Sequence, residues 1–302
     1  MTTPAVLCAG AATLDIIAVV DRVPGPDARA VSAPFTRAGG GPAATAAVAL
    51  ARLGVPAALC GTVGDDPAGQ LVRDGLAAEG VDTTWLRTDP DVATAESVVL
   101  VQRGTAARTI VTTPSARPVL PDPLPGAGWI HADQAGYPAV RAWLDAGRRG
   151  PRRGPRVSID GGNPIPGLRL DGIALYVPTL AVLRREFAAP SVAGSFAAAM
   201  AAGAAQAAAT DGAAGSLISA DGRLVRVPAH PVRATSTIGA GDVFHGALLA
   251  GLVRGRTLPG AARLAAVVAA LSCRDLDGRS AIPGWDEAQR VLGSRRSGEP
   301  VH

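Results

Sequence analysis

The sequence predicts an α/β fold: a doubly wound, mostly parallel β-sheet flanked by helices, with a small β-sheet lid. Apolar, strand-like runs alternate with helix-like runs of about ten residues along most of the chain, which is typical of parallel βαβ units. Two segments interrupt this alternation, and neither contains a helix. We therefore predict that the 302 residues form one domain, 1–302, with lid segments at about 13–37 and 94–113.

Each predicted element has its own local pattern. Short apolar runs predict the strands of the main sheet: 5–9, 57–61, 129–131, 156–159, 172–177 and 206–210. Alanine-rich or leucine-rich stretches predict the helices: 43–53, 69–78, 139–147, 180–188, 195–202 and 243–252. In the second lid segment, strands 97–101 and 108–112 flank the turn 103–106, which predicts a hairpin. A small sheet over the carboxyl edge of a parallel sheet would cover a ligand crevice.

Composition favours a cytoplasmic enzyme. Hydrophobic residues make up 48% of the chain, yet the longest apolar stretch, 192–209, is interrupted by Ser195 and Gln206. The N-terminus lacks the basic region of a signal peptide, so neither secretion nor a membrane span is expected. The net charge is +4, with arginines clustered at 148–156 and 295–296, but aromatic residues are only 3%. Without stacking platforms among these arginines, nucleic-acid binding is not expected.

The most informative motif is the glycine-rich turn before the last predicted helix. Gly239-Ala240-Gly241 has little side-chain bulk, so its backbone N–H groups can converge on one anion at the positive end of that helix. Asp242 follows in the first turn, where a carboxylate would repel phosphate but could take a proton from an attacking hydroxyl. The alternative interpretation is that Asp242 is only a helix cap.

Three blocks of sequence together resemble the ribokinase-like (PfkB-type) sugar kinases. The first is the glycine-rich run 39–46 leading into a helix that ends at Gly54, and the second is 61–66 followed by Gly69. The third is Gly239-Ala240-Gly241-Asp242 with Phe244 and Gly246. Their order, with a lid-like insertion between the second and third blocks, matches that family almost from end to end.

The resemblance implies roles for residues at matching positions. Asp242 would be the general base, and Gly239, Ala240 and Gly241 would form an anion hole for the transferred phosphoryl group. The sugar would contact Asp15, Gly40, Gly41, Thr45, Thr112 and Gln134. The nucleotide would contact Thr210, Gly212, Gly215 and Asn163. ATP would be the phosphoryl donor, and Mg²⁺ would neutralise its triphosphate.

The chain also departs from the family pattern. Ser236-Thr237-Ile238 stands where relatives commonly carry an acidic residue that helps hold a monovalent cation, which argues against potassium activation. The Asn-x-x-Glu motif associated with magnesium is absent from 178–185, so Mg²⁺ is expected to contact the protein mostly through water. No metal-ligand set is assigned.

Several functional alternatives remain open. The residues of the glycine-rich blocks most resemble those of the sulfofructose kinase and ketohexokinase branch. Thr112 and Gln134 carry no charge that could bind a sulfonate, so a neutral ketohexose or related polyol is favoured as the substrate. A nucleoside kinase would need aromatic residues in the lid, and a non-catalytic sugar-binding protein would not need Asp242. The sequence leaves open whether Arg279, His131 or His245 contacts a ligand. Apolar alternation in the lid hairpin predicts a homodimer through the lid.

Overall fold

The computed structural model describes residues 3–147, 154–220 and 222–294. Most of the arginine cluster and both Arg295 and Arg296 lie outside these residues. The strands are β1 Val6–Ala9, β2 Thr13–Val20, β3 Thr36–Gly40, β4 Ala57–Gly64, β5 Leu86–Asp89, β6 Ala95–Gln102, β7 Arg108–Thr112, β8 Trp129–Ala132, β9 Arg156–Gly161, β10 Leu175–Pro178, β11 Ala208–Thr210, β12 Ser216–Ala220 and β13 Arg223–Val227. The helices are α1 Pro42–Arg52, α2 Pro67–Ala78, α3 Tyr137–Asp145, α4 Leu180–Glu186, α5 Val192–Ala201, α6 Ala240–Val253, α7 Leu258–Ser272 and α8 Trp285–Ser294.

The central sheet has six strands in the order β10-β9-β8-β1-β4-β5, and all of its pairs are parallel. Its strands are apolar on both faces because helices cover both faces. In β1, Val6 and Cys8 belong to a core cluster shared with α1, α6 and α7, whereas Leu7 and Ala9 face a cluster shared with α3 and α5. This arrangement confirms the predicted fold class.

A second sheet of four strands forms the lid, in the order β3-β2-β6-β7. β2 pairs with β6 in parallel, and the outer pairs, β2–β3 and β6–β7, are antiparallel. The predicted hairpin is therefore β6–β7. The first lid segment contributes β2, which is almost entirely buried, and β3.

The predicted strand 206–210 forms mainly in a different sheet from the one expected. It was expected to be another strand of the parallel sheet, but β11 pairs antiparallel with β12 in a third sheet, β11-β12-β13. Two isolated parallel bridges, Tyr176–Ala207 and Thr179–Thr210, connect it to the edge of the central sheet. Helices α7 and α8 were not predicted. Among the described residues, none of the helices combines the length and apolar character needed to cross a bilayer.

The strand order reverses between β1 and β8, which is where open α/β sheets bind ligands at the carboxyl ends of their strands. Asp133, directly after β8, is fully buried at this point. Its carboxylate accepts hydrogen bonds from the backbone N–H groups of Ala11, Ala43, Ala135 and Gly136, at 2.8, 3.1, 2.8 and 2.9 Å. Asp133 thus joins the loop after β1 to the first turns of α1 and α3, and it fixes the edge of the crevice.

Candidate active site

A cavity of about 690 Å³ lies between the carboxyl edge of the central sheet and the lid. The predicted site residues that line it are Asp15, Gly40, Gly41, Thr45, Thr112, Gln134, Asn163, Thr210, Gly239, Gly241 and Asp242. Three predicted residues, Ala240, Gly212 and Gly215, are not part of the lining. Predicted residues from widely separated parts of the chain therefore converge on one cavity.

The start of α6 is shaped by Gly239. This residue has φ +68°, in the left-handed region, and a Cβ there would lie 3.1 Å from the Cα of Gly278. A side chain would be strained and crowded, so glycine is required at this turn. The N–H groups of a first helical turn have no partners within the helix, although Ala240 N–H makes a long contact of 3.4 Å to the carbonyl of Thr237. The turn therefore presents donors to the cavity.

Asp242 lies in the first turn of α6 and is half-buried at the cavity wall. Burial, together with the nearby carboxylate of Asp160, raises the pKa of Asp242 to about 7, while the charges of His245 and Arg108 act in the opposite direction. A carboxyl group with a pKa near neutrality can exchange a proton with a substrate hydroxyl efficiently at neutral pH. Asp242 is therefore a candidate general base.

A second buried polar group lies next to Asp242. His245 is one turn further along α6, and its Nε2 lies 3.1 Å from Oδ1 of Asp160 on β9. The ring of His131, on β8, packs 5.3 Å from the ring of His245, and its Nδ1 is 3.3 Å from the hydroxyl of Ser158. Asp160 and His245 line the cavity, but His131 does not. No local sequence pattern indicates that β9 and α6 bring Asp160 and His245 together.

Another part of the cavity wall is rich in hydroxyl and carboxyl groups. Asp15 on β2 is buried and accepts a hydrogen bond from the Thr13 hydroxyl at 2.8 Å. Burial raises the pKa of Asp15, whereas hydrogen bonds from Thr13 and Ser97 and the charge of Arg279 lower it. Thr45 of α1 and Thr112 of β7 add hydroxyls. Such a surface can hold several hydroxyl groups of a small polar ligand.

Gly41 allows α1 to start against this surface. Its φ is +91°, and a Cβ would lie 2.4 Å from the carbonyl oxygen of Ala11. Behind the turn, Arg279 is 6% exposed and is not part of the cavity lining. Its guanidinium donates to the carbonyl of Gly40 at 2.6 Å and to the Thr45 hydroxyl at 3.2 Å. Arg279 therefore supports the turn from behind and contacts neither the cavity nor solvent directly.

The lid supplies a cation that sequence reasoning missed. Arg108, at the start of β7, lines the cavity and donates from Nη1 to the Thr237 hydroxyl at 2.8 Å, two residues before Gly239. Arg108, Ile110 and Thr112 alternate along one face of β7, and all three line the cavity. Side chains of a strand alternate between its two faces, and Thr112 was predicted to face the ligand. The same alternation could therefore have identified Arg108, four residues earlier on this strand.

The remaining predicted residues lie around β9 and β11. Asn163 follows β9, and its side-chain amide donates to Oε1 of Gln134 at 3.3 Å. Thr210 ends β11 and lines the cavity together with Thr179. A short 3₁₀ helix covers Gly212–Ala214 and is followed by Gly215. The carbonyl oxygen of Gly215 accepts a hydrogen bond from the N–H of Asp211 at 2.7 Å. This tight turn lies beyond the cavity lining.

Comparisons with known proteins show what the chain as a whole resembles. A model of the pfkB family carbohydrate kinases matches residues 3–123 and 170–284. A fructokinase from Klebsiella pneumoniae is 32% identical over 307 residues, covering 91% of this chain and 97% of its own. An aminoimidazole riboside kinase from Salmonella typhimurium is 32% identical over 245 residues, covering 73% and 75%. Among solved structures, Arabidopsis thaliana ribokinase complexed with ribose and ATP has a TM-score of 0.79 at 23% identity, covering 97% and 99%, a likeness that concerns the fold.

Proposed function

The chain belongs to the PfkB family of carbohydrate kinases, and from this premise we propose that it phosphorylates a hydroxyl of a ketohexose or related polyol with ATP. It is a sugar kinase of the ribokinase fold. The observation that carries the proposal is the position of Asp242. This carboxyl group, with a pKa of about 7, lies at a glycine-rich helix start in a cavity that Asp15 and Thr45 also line.

Direct in-line transfer follows from these positions. The hydroxyl-rich part of the wall would hold the sugar and present one hydroxyl to Asp242. Asp242 would take its proton as the hydroxyl oxygen attacks the γ-phosphorus of ATP, and the bond from that phosphorus to the β,γ-bridging oxygen would break to release ADP. The N–H groups of Gly239, Ala240 and Gly241 would stabilise charge on the transferred phosphoryl group. Arg108, held at Thr237 beside this turn, would add a positive charge on the same side. Positioning and charge stabilisation would then provide most of the acceleration.

The nucleotide side fits a magnesium ion bound mainly by phosphates and water. Asn163, Thr179 and Thr210 line this side with uncharged oxygen ligands. The nearby carboxylate, Asp160, is occupied by His245 and by the N–H of Gly162 at 2.7 Å. When bound, Mg²⁺ would supply charge neutralisation of the triphosphate. Asn163 is the side chain best suited to touch it.

A sugar without an attached base suits the cavity best. The described residues that line the cavity include no Phe, Tyr or Trp to stack on a nucleobase. The fructokinase relative covers nearly the whole chain, which supports a ketohexose. Arg108 is a cation that could attract a sulfonate, but its bond to Thr237 holds it beside the anion hole, so a phosphate is its better partner.

Dimerisation through the lid is part of the proposal. Val98 and Val111 are cross-strand neighbours on the face of the lid directed away from the cavity, and they are 48% and 70% exposed. Burying such an apolar pair against a second copy would be favourable. Light scattering is expected to give two chains per particle for the unmodified protein and one chain per particle for V111D. One chain per particle for the unmodified protein would contradict dimerisation.

A substrate panel tests the proposed activity. ATP consumption would be followed by ADP release with D-fructose, a sulfonated ketohexose, D-ribose and two purine nucleosides, and the product would be identified by ³¹P NMR. We expect the highest kcat/KM with a neutral ketohexose or polyol. A preference for nucleosides or for the sulfonated sugar would replace the proposed substrate class. Sugar binding without any turnover would indicate a non-catalytic binding protein.

A further inference from the structure

Asp160 and His245 form a buried ion pair in the wall of the cavity. Their side chains are only 6% and 5% exposed, and Nε2 of His245 lies 3.1 Å from Oδ1 of Asp160. Oδ1 of Asp160 also accepts the N–H of Gly162 at 2.7 Å. Asp242 and His245 are three residues apart on α6, so their side chains share one face of that helix. A charge on His245 therefore acts directly on Asp242.

The surroundings favour a positively charged His245. Burial works to lower its pKa, but the carboxylates of Asp160 and Asp242 outweigh burial and hold the pKa above its usual value. The same pairing outweighs burial at Asp160 and holds the pKa of that carboxyl group below its usual value. Neutralising His245 would leave two neighbouring carboxylates in a poorly solvated wall, which is costly.

His131 provides an internal comparison. Its ring packs 5.3 Å from that of His245, and its Nδ1 faces the Ser158 hydroxyl at 3.3 Å. Burial, with the neighbouring charge of His245, lowers the pKa of His131 to about 3, although Asp160 acts in the opposite direction. The two adjacent histidines are therefore expected to differ in charge at neutral pH. One is an ion-pair partner, and the other is a neutral packing residue.

We propose that His245 is a positioning residue for the base: protonated and paired with Asp160, it supplies the buried positive charge that keeps Asp242 ionised. This inference rests on the proposed function and deepens it. Other charged groups also face the base, so the wall is a network in which His245 and Asp160 oppose each other. The groups that act on Asp242 are Asp160, His245, Asp133, Arg108 and Arg279, and those that act on His245 are Asp160, Asp242 and His131.

The network predicts an asymmetric response to mutation. His245→Gln retains a donor near Asp160 but removes the positive charge, so an uncompensated Asp160 would raise the pKa of Asp242. Asp160→Asn in the same chain removes that negative charge as well. The double variant D160N/H245Q should therefore recover much of what H245Q loses. A purely structural role would instead make the double variant at least as impaired as either single variant.

The kinetic test is the acid limb of the kcat/KM profile. For H245Q we expect this limb to move up by about one pH unit, which lowers kcat/KM about tenfold at pH 6 and less than about twofold at pH 9. The limb should return toward its original pH in D160N/H245Q and stay unchanged in H131Q, the matched control. An unmoved limb in a folded H245Q protein would overturn the proposal.

Two further measurements do not depend on turnover. Long-range ¹⁵N–¹H NMR of the unmodified protein, which has only four histidines, should show both ring nitrogens of His245 protonated at pH 7 and one ring nitrogen of His131 unprotonated. A neutral His245 ring would overturn the proposal.

The second measurement reads the pKa of Asp242 from the free energy of unfolding as a function of pH. The effect of D242N on this free energy should become constant above the pKa of Asp242, and it should do so at a higher pH when D242N is made in H245Q than when it is made in the unmodified protein. If the effect of D242N becomes constant at the same pH in both backgrounds, the proposal for His245 is overturned. Inactivity of the unmodified enzyme would contradict only the proposed function.

Discussion

The guanidinium of Arg279 donates to the carbonyl oxygen of Gly40 at 2.6 Å, although the two residues lie 239 positions apart in the chain. The contact joins the loop before α8 to the glycine turn that opens α1. Burial lowers the pKa of Arg279 only to about 10, so the side chain stays charged at neutral pH. A buried cation therefore holds the turn that carries Gly40 and Thr45, two residues of the cavity wall.

Arg279→Met should weaken sugar binding. The substitution keeps much of the side-chain volume but removes the charge-assisted bonds to Gly40 and Thr45, each worth about 1.5–3 kcal/mol. We expect KM for the sugar to rise about 10- to 100-fold, with a smaller change in KM for ATP. The control is Arg87→Gln, because Arg87 is 58% exposed and pairs with Asp89 on the edge strand β5. Equal sugar KM values for R279M and the unmodified enzyme would show that the turn does not need Arg279.

Arg108→Gln should impair phosphoryl transfer. Loss of the cation beside the anion hole is expected to lower kcat/KM about 10- to 100-fold. Because the charge of Arg108 also lowers the pKa of Asp242, the acid limb should move to higher pH. Arg103→Gln is the matched control, since Arg103 belongs to the same hairpin but pairs with the exposed Asp21 at 2.8 Å. If R108Q and R103Q behave alike, Arg108 has no role in transfer.

Asp15→Asn should affect the sugar rather than the nucleotide. A carboxylate accepts two strong hydrogen bonds from sugar hydroxyls, and an amide replaces one acceptor with a donor. The sugar KM is expected to rise about 10- to 100-fold while the ATP KM changes less than about threefold. Asp21→Asn, at the exposed end of the same lid sheet, serves as the control. A raised ATP KM with an unchanged sugar KM would reverse the assignment of the two ends of the cavity.

The elevated pKa of Asp242 has a consequence for stability. Since the carboxyl group has a pKa of about 7 in the folded protein and an ordinary value near 3.8, the folded state binds more protons than the unfolded state between these values. Between about pH 4 and pH 7, the free energy of unfolding of the unmodified protein should fall relative to that of the Asp242→Asn variant. Above pH 7 the difference between the two proteins should be constant. The expected plateau is about 2–4 kcal/mol in favour of D242N. Denaturant unfolding at several pH values measures it, and a pH-independent difference would contradict the elevated pKa.

The central sheet was predictable because its signal is local. Runs such as 5–9 are apolar without alternation, which a strand buried on both faces requires, and β1 is indeed covered on both sides. The strand at 206–210 meets the central sheet through isolated parallel bridges, but its ladder is antiparallel with β12, because a short apolar run does not specify the strand with which it pairs. The long helix α7 was missed, although its alanine, leucine and valine content resembles that of the predicted helices and the helix is buried against α6.

Parts of the site that lie in one contiguous motif were also predictable. Gly239 and Asp242 are only three residues apart in the sequence, so their shared location needed no tertiary information. Arg279 and His245 act through partners far away in the chain, Gly40 and Asp160. Only the fold brings such pairs together, and a single sequence carries no local mark of them.

Turnover by Asp242→Asn, with the sugar that the unmodified enzyme prefers, is the most direct test of Asp242 as general base. Asparagine keeps the size of the side chain but cannot take the proton of the attacking hydroxyl. We expect kcat to fall about 10²- to 10⁴-fold while the dissociation constants of ATP and sugar, measured by calorimetry, stay within about threefold. A kcat close to that of the unmodified enzyme, with both ligands bound normally, would contradict the role given to Asp242.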